Sequence, residues 1–95
     1  MYSITENDIH HHLRMRMLQR GISLEEINTT LQKGWQAPDA KKGTAGKVYV
    51  FPFNKEWFGK SYNEKEVSVY YKYSKGKLII LTVKARYGNN FKQGG

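Results

Sequence analysis

Three cationic side chains at helical spacing are the first candidates for chemistry in this sequence. His12, Arg16 and Arg20 follow one another at intervals of four residues, so in a helix they form one stripe along one face. Like charges at this spacing repel each other, and the stripe therefore does not stabilise the helix that carries it. A stripe of this kind either faces water or holds an anion such as a phosphate.

Two interpretations of His12 are open. An imidazole titrates near neutrality and can serve as a general base or acid, whereas a surface histidine can simply pair with Asp8, four residues earlier. His10 and His11 come directly before it, but consecutive helical residues point about 100° apart and do not converge on one ion. We therefore predict no metal site here.

The positive charge is concentrated in the second half of the chain. The net charge is +8; residues 1–46 carry six Lys and Arg against five Asp and Glu, and residues 47–95 carry ten against three. No acidic residue follows Glu66. Such an excess suggests a polyanionic partner, either nucleic acid or an acidic protein, although solubility alone also explains a basic surface.

Several classes of function find no support in the sequence. The chain has no cysteine, which excludes disulfides and thiolate metal sites. It has no Gly-rich phosphate loop, no Ser-His-Asp order and no carboxylate pair, so kinase, hydrolase and glycosidase activities are not indicated. A signal core and a membrane-spanning apolar run are also missing. We expect one soluble, cytoplasmic domain over residues 1–95, with a flexible tail at 89–95.

Two helices are predicted in the N-terminal third. The first begins after a cap at Thr5 and stops at Gly21, which suits the left-handed position after a helix. The second follows from a capping box of Ser23 and Glu26 and ends at Gly34. Two residues separate them, which predicts an αα-hairpin. The predicted apolar face of the first helix consists of Ile9, Leu13 and Met17, joined by Leu18.

An antiparallel sheet is predicted for the rest of the chain. Pro52 places the end of the first strand at an edge or a bulge, and residues 54–65 are either a long loop or an irregular strand. Residues 35–46 are predicted to form a loop. The predicted strands, which are rich in β-branched and aromatic residues, are 47–53, 66–73 and 77–87.

Alternation predicts the register of the last hairpin. Tyr73 lies opposite Lys77, with a three-residue turn of Ser74, Lys75 and Gly76 between them; a two-residue turn would move one strand's side chains to the other face. The predicted core face carries Val67, Val69, Tyr71, Ile79, Leu81 and Val83. The predicted open face carries Ser68, Tyr70, Lys72, Leu78, Ile80, Thr82, Lys84 and Arg86.

Together these elements predict an α+β fold, in which an N-terminal helical hairpin packs on one face of a small antiparallel sheet. The pattern H-x-x-x-R-M-x-x-R-G-I-S from His12, followed by E-E-I at 25–27, resembles the opening of small domains related to the RelE and BrnT toxins. The strand KLIILTV at 77–83 is similar to theirs, as is the order of elements over residues 5–88. Residues 54–65 depart from the compact toxin pattern. The resemblance implies a RelE-like fold.

The resemblance also implies a metal-independent endoribonuclease without a cofactor, either a toxin or a toxin-derived protein. RNA would be its substrate and an acidic antitoxin its partner. RNA cleavage needs a base for the 2′-hydroxyl, an acid for the 5′-oxygen and cations around the phosphorus. The candidate catalytic residues are His12, Arg16, Lys84, Arg86 and Tyr87. The candidate RNA-binding residues are Arg20, Tyr70, Lys72 and Thr82.

This assignment assumes that the first helix and the last strand deliver their cations into one pocket. The alternative is a non-catalytic basic module that binds RNA or an acidic protein through the same surface.

Overall fold

Two α-helices cover one face of a four-stranded antiparallel sheet in the computed structural model, which describes residues 4–91. The helices are α1 (His11–Arg20) and α2 (Leu24–Lys33). The strands are β1 (Trp35–Gln36), β2 (Ala45–Trp57), β3 (Lys60–Ser74) and β4 (Lys77–Gly88), and they lie in this order across the sheet. The predicted α+β fold class is confirmed.

The first helix begins later than predicted. Thr5 opens only a 3-10 turn (Glu6–Asp8), and the chain leaves the helical conformation after it. His10 then caps α1, because its Nδ1 accepts a hydrogen bond from the Leu13 N–H at 3.2 Å. The Nε2 of the same ring lies 3.2 Å from the Ile80 carbonyl oxygen. The imidazole therefore ties the start of the helix to the sheet.

Local capping chemistry sets the other helix ends as predicted. Gly21 takes a left-handed conformation, with φ of +68°, and ends α1. At the start of α2 the Ser23 hydroxyl accepts from the Glu26 N–H at 3.1 Å, and the Glu26 carboxylate accepts from the Ser23 N–H at 3.0 Å. This reciprocal pair is the predicted capping box. The Gly34 N–H donates to the Thr30 carbonyl at the end of α2.

The core lies between the helices and the sheet. α1 packs on β4, and α2 packs on β2 and β3. The prediction that Leu18 belongs to the apolar face of α1 is wrong, because this residue is 71% exposed. Leu13 and Ile27 are fully buried on the helices, and the fully buried valines of the sheet, Val67, Val69 and Val83, belong to the same cluster. Each such side chain contributes about 1.5–3 kcal/mol by its burial, so this layer fixes the helices on one face of the sheet.

β2 and β3 form one long hairpin, and it includes the segment 54–65, for which the sequence predicts a long loop or an irregular strand. The pairing continues to a two-residue turn of Phe58 and Gly59, both of which have positive φ. This geometry is typical of tight hairpin turns. The register shifts directly after Pro52, which confirms the bulge that this proline predicted.

The last hairpin has a two-residue turn, so the predicted three-residue turn is wrong. Ser74 lies opposite Lys77. Lys75 and Gly76 between them have φ of +52° and +76°, as in a type I′ turn. The prediction assumed unbroken alternation along both strands, and a bulge interrupts the pairing of β3 with β4.

A bulge in β4 changes the register a second time. Tyr70 lies opposite Thr82 and Tyr71 lies opposite Ile80, which leaves Leu81 as the extra residue. The extra residue compensates for the shorter turn. From the bulge to the end of β4, core and open positions therefore alternate as predicted.

Between the turn and the bulge the two faces are exchanged. Leu78 and Ile80, predicted for the open face, pack in the core. Ile79 and Leu81, predicted for the core, lie on the opposite side, because a shift of one residue moves every side chain of a strand to the other face.

The face opposite the helices is partly covered by the segment predicted to be a loop. Trp35 of β1 pairs with Val48 of β2. The chain then turns over the sheet, where Ala37 packs on Tyr70 in a second, smaller apolar cluster. This segment, residues 35–44, forms one wall of the space above the sheet.

Replacing Gly46 by alanine should displace this wall. A Cβ at position 46 would lie 2.8 Å from the Ala37 Cβ and 2.9 Å from the Tyr70 ring, so a neighbour must move. We expect the free energy of unfolding to fall by about 1–3 kcal/mol, as for other overpacked sites, measured by urea denaturation. An unchanged unfolding midpoint would show that the segment does not pack here.

The start of the predicted flexible tail makes ordered contacts. The Asn63 N–H donates to the Asn89 side chain at 2.8 Å, and the Phe91 N–H donates to the Glu64 carboxylate at 2.7 Å. These hydrogen bonds join residues 89 and 91 to β3, and the flexibility of the tail stays a prediction. Residues 92–95 lie outside the described residues.

Candidate functional site

The predicted site residues lie on two different faces of the sheet. Side chains alternate between the faces of a strand, so residues next to the buried Val83 project away from the helices. On that open face lie Tyr70, Thr82, Lys84 and Arg86. On α1, which packs on the other face, lie His12, Arg16 and Arg20. The assumption of one pocket between the first helix and the last strand is therefore wrong.

The cationic stripe of α1 lies on the protein surface. His12 is exposed, and Arg16 donates to the Gln19 amide oxygen at 3.1 Å. Asp8, the expected partner of His12, accepts instead from the Thr5 N–H at 2.9 Å. Arg16 and Arg20 are half-buried, and the stripe lines neither of the hollows that Lys84 lines on β4.

Tyr87 makes a structural contact on the helix side of the sheet. Its hydroxyl donates to the Arg20 carbonyl oxygen at 2.6 Å, and the Trp57 ring stacks on it with centroids 4.7 Å apart. Burial, and to a smaller extent the Glu26 carboxylate, raise the pKa of Tyr87 to about 12. This tyrosine closes the C-terminal end of α1 and does not reach the residues of the open face.

The stability of the protein should fall in alkaline solution as Tyr87 ionises. Its pKa of about 12 in the folded state lies above the value of about 10 for an unfolded tyrosine. Its contribution is therefore complete below about pH 10 and is lost as the pH rises towards 12. The free energy of unfolding of Tyr87→Phe should fall less over this range in urea denaturation at several pH values. Equal pH dependence in both proteins would contradict this role.

A buried lysine lies beneath the turn between α1 and α2. Lys65 is 3% exposed, and its ammonium donates to the Gly21 carbonyl and, at 2.8 Å, to the Glu26 carboxylate. The rings of Phe53 and Tyr87 lie 5.9 and 5.8 Å from the ammonium. With its charge paired and its donors used, Lys65 has a structural role in joining the helices to the sheet.

A cleft opens on the face opposite the helices, between the sheet and residues 35–44. Its volume is about 440 Å³, within the range of small-ligand sites. Apolar walls come from Trp35, Pro38 and Val48. The polar side chains that line it are Asp39, Glu66, Ser68, Tyr70, Lys84 and Arg86. Three of the residues predicted from the sequence are therefore brought together here.

An ion pair between neighbouring strands forms one end of the cleft. Glu66 and Arg86 lie opposite each other on β3 and β4, and the guanidinium donates to both carboxylate oxygens at 2.9 and 3.2 Å. The pKa of Arg86 is raised by this hydrogen-bonded pairing with Glu66. The Glu66 side chain is 16% exposed and that of Arg86 is 68% exposed, so the carboxylate is held from within the sheet.

Lys84 brings a second cation to the same row of side chains. It lies opposite Ser68, two residues along each strand from the Glu66–Arg86 pair, which corresponds to about 7 Å on the same face of the sheet. Its ammonium lies 5.1 Å from the centre of the Tyr70 ring. A carboxylate and two cations thus line one concave surface.

The other end of the cleft is closed by a hydrogen bond between the sheet and its covering segment. The Tyr70 hydroxyl donates to Asp39 Oδ1 at 2.8 Å. Burial, followed by the hydrogen bond to Asp39, raises the pKa of Tyr70. The phenol therefore stays protonated at neutral pH and continues to hold the Asp39 carboxylate.

A second hollow of about 270 Å³ continues from the first beyond this hydrogen bond. Asp39, Tyr70 and Lys84 line both hollows, and Thr82 and Lys41 line the second. Lys72, also predicted to bind RNA, is exposed nearer the hairpin turn and lines neither of these hollows.

Sequence reasoning missed Glu66, Ser68 and Asp39 as members of the site. Glu66 had a signal, since it is the last acidic residue of the chain and alternation places it on the same face as Ser68. No sequence signal marked Asp39, because only the path of residues 35–44 over the sheet brings it to the cleft.

Within residues 4–91, no three potential metal-ligating side chains cluster where they could hold one ion. No helix among these residues is long and apolar enough to cross a membrane.

Comparison with known proteins gives one match. Residues 9–84 match the family described as Domain of unknown function (DUF4258). The matched region extends from α1 into β4 and includes Asp39, Glu66 and Lys84, while Arg86 lies two residues beyond it. No curated protein and no solved structure matches the chain.

Proposed function

We propose that this chain, which belongs to the DUF4258 family of unknown function, cleaves RNA without a metal ion in the cleft lined by Glu66, Lys84 and Arg86. The observation that carries the proposal is the Glu66 carboxylate, held at 2.9 Å by a guanidinium and lining one concave surface with a second cation. These are the groups that attack by a 2′-hydroxyl on its neighbouring phosphate requires. The activity is the one implied by the resemblance to RelE-like toxins, with a different set of catalytic residues.

Glu66 is the general base in this scheme. Its carboxylate takes the proton of the 2′-hydroxyl while the 2′-oxygen forms a bond to phosphorus. The bond from phosphorus to the 5′-oxygen breaks, and the Lys84 ammonium gives a proton to that oxygen. The products are a 2′,3′-cyclic phosphate and a 5′-hydroxyl, and water restores both side chains to their starting protonation.

Arg86 can hold the substrate and the base at the same time. A guanidinium has five N–H donors, and Arg86 uses its Nε and Nη2 groups on Glu66. The Nη1 hydrogens remain for a phosphate oxygen, and the side chain is 68% exposed. Negative charge that develops on the phosphate oxygens is therefore stabilised beside the base.

The charge balance of the cleft favours cleavage over simple binding. Asp39 and Glu66 offset Lys84 and Arg86 in formal charge. A surface that only held RNA by its phosphates would gain affinity from cations alone, so two carboxylates in such a surface would weaken it. A base beside two cations is the arrangement that a ribonuclease needs.

The test is incubation of the purified chain with single-stranded RNA in EDTA, both as naked RNA and on translating ribosomes. We expect fragments that end in a 2′,3′-cyclic phosphate, and no cleavage of 2′-O-methyl RNA of the same sequence. Arg86→Ala should lose the activity, whereas Lys77→Ala, which removes a cation from the same strand outside the cleft, should keep it. Intact RNA in both preparations with folded protein would overturn the proposal.

A role as a toxin adds a second expectation. Expression of the chain should arrest bacterial growth, and Arg86→Ala should relieve the arrest at equal protein level. An acidic antitoxin would be the partner that neutralises the basic protein. Normal growth of cells that contain soluble wild-type protein would contradict the toxin role.

A further inference from the structure

Two groups that line the cleft, the Trp35 ring and the Asp39 carboxylate, have no part in the proposed cleavage chemistry. We propose that they recognise a guanine base of the RNA, with the Trp35 ring stacking on the base and the Asp39 carboxylate accepting from its Watson–Crick edge. This inference rests on the proposed function, which supplies RNA as the substrate. It places the recognised guanine next to the bond that is cleaved.

Asp39 is oriented for this role by a hydrogen bond that leaves most of its acceptor capacity available. The Tyr70 hydroxyl donates to Oδ1 at 2.8 Å, and no other residue of the described range 4–91 donates to the carboxylate. A carboxylate offers about four acceptor positions over its two oxygens. The residue is exposed and lines the cleft, so a ligand can reach these positions.

The segment that carries Asp39 is held against the sheet two residues before it, at Ala37. The Ala37 N–H donates to the Gly46 carbonyl at 2.9 Å, and the absence of a Cβ at Gly46 lets Ala37 and the Tyr70 ring approach closely. A binding group on a fixed support loses little conformational freedom when it binds and discriminates well between ligands.

Among the four bases, guanine fits a carboxylate best. It presents two adjacent donors, N1–H and the N2 amino group, which match the two carboxylate oxygens in a charge-assisted pair. Adenine and cytosine each place a ring-nitrogen acceptor beside their amino group, and uracil places carbonyl oxygens on both sides of its single N–H. Each of these would set an acceptor against the negative charge of Asp39.

The neighbouring groups fit the remainder of a nucleotide. Trp35 and Pro38 give the cleft an apolar wall, and aromatic rings stack on bases in single-stranded RNA recognition. Lys84, which also lines the cleft, supplies a cation for the attached phosphate. A site of about 440 Å³ is of the size that accommodates a small ligand of this kind.

The test compares the binding of 3′-GMP, 3′-IMP and 3′-AMP by NMR titration. Inosine lacks only the 2-amino group of guanosine, so it isolates one of the two hydrogen bonds. We expect 3′-GMP to bind at least tenfold more tightly than the other two. Asp39→Asn should reduce this ratio to below threefold, because an amide cannot accept at both positions. Asp8→Asn, in the 3-10 turn, is the matched control and should retain it.

Asp39→Asn also changes the hydrogen bond by which Tyr70 holds residues 35–44 over the sheet. A second variant therefore distinguishes loss of base recognition from displacement of this segment. Tyr70→Phe lacks the anchoring hydroxyl but keeps the carboxylate, and it should weaken 3′-GMP binding while still favouring it over 3′-IMP. Equal affinities of the wild-type protein for the three nucleotides, or no binding, would overturn the inference.

The inference and the proposed function fail in different ways. RNA cleavage with no preference for guanosine would overturn the inference and leave the ribonuclease. An Asp39-dependent preference for 3′-GMP in a protein that cuts no RNA would overturn the ribonuclease and leave guanine recognition.

Discussion

Glu66→Gln is expected to lower the rate of RNA cleavage by about 10²–10⁴-fold, the usual contribution of a general base. Glutamine has nearly the same shape and its amide oxygen can still accept from Arg86, but it cannot take the proton of a 2′-hydroxyl. The measurement is the single-turnover rate of cyclic-phosphate formation with protein in excess over RNA.

Two features make this variant a sharp test of the base. The amide oxygen of glutamine can still accept from Arg86, whose side chain is 68% exposed, so neither side chain is left as an unpaired buried charge and the fold should survive the change. Glu64→Gln is the matched control, since Glu64 precedes Glu66 by two positions on β3 but binds the Phe91 N–H outside the cleft. Loss of less than threefold in Glu66→Gln would assign the base elsewhere.

Lys65→Met is expected to destabilise the fold more than any other change considered. The methionine fills the space of the lysine stem, but the Gly21 carbonyl and the Glu26 carboxylate both lose their donor. Removing one partner of a buried pair costs about 3–5 kcal/mol. Because the Glu26 side chain is 22% exposed, we expect about 2–4 kcal/mol and a fall in Tm of roughly 10–20 °C.

A double variant distinguishes the ion pair from the packing of the lysine stem. Glu26→Gln keeps the capping box, because glutamine also suits that position, and it removes the carboxylate that Lys65→Met leaves unpaired. The double variant should therefore be more stable than Lys65→Met alone, with a coupling free energy of about 1–3 kcal/mol. Lys60→Met, an exposed lysine on the same strand, should change stability by less than about 0.5 kcal/mol. Additive effects of the two single changes would contradict the pairing.

Local chemistry explains what could be predicted from the sequence. The conformation of Gly21 and the capping box of Ser23 and Glu26 depend on residues within one helical turn of each other, and the structure has them as predicted. The alternation of Val67 and Val69 likewise predicted the core face of β3, because it depends only on the pleat of a strand.

Features set by distant residues could not be predicted. His10 caps α1, and its ring also lies against the Ile80 carbonyl, 70 residues away in sequence. The helix therefore begins after His10 and not after Thr5, the cap that local sequence predicts. The extra residue at Leu81 follows from the fit of β4 against the whole sheet, and no single residue type marks it.

Only part of the candidate site could be predicted, because its other residues are also brought into place by distant parts of the chain. Lys84 and Arg86 were assigned from the charge and alternation of one strand, and the structure places both on the open face. The prediction of His12 rests on an assumed packing of the first helix against that strand, and that of Tyr87 rests on the capacity of a tyrosine to stack on a base or to donate a hydrogen bond. Side chains alternate between the two faces of a strand. Tyr87 directly follows Arg86, so its side chain projects to the helix side of the sheet and not into the cleft.

The central claim is that RNA binds on the face of the sheet opposite the helices. The most direct measurement is an NMR titration of the protein with a short 2′-O-methyl oligonucleotide that cannot be cleaved. Binding in the cleft should shift the backbone amide signals of Glu66, Ser68 and Lys84 and leave those of His12 and Arg16 unchanged. Shifts confined to α1, with the β3 and β4 amides unaffected, would contradict the account.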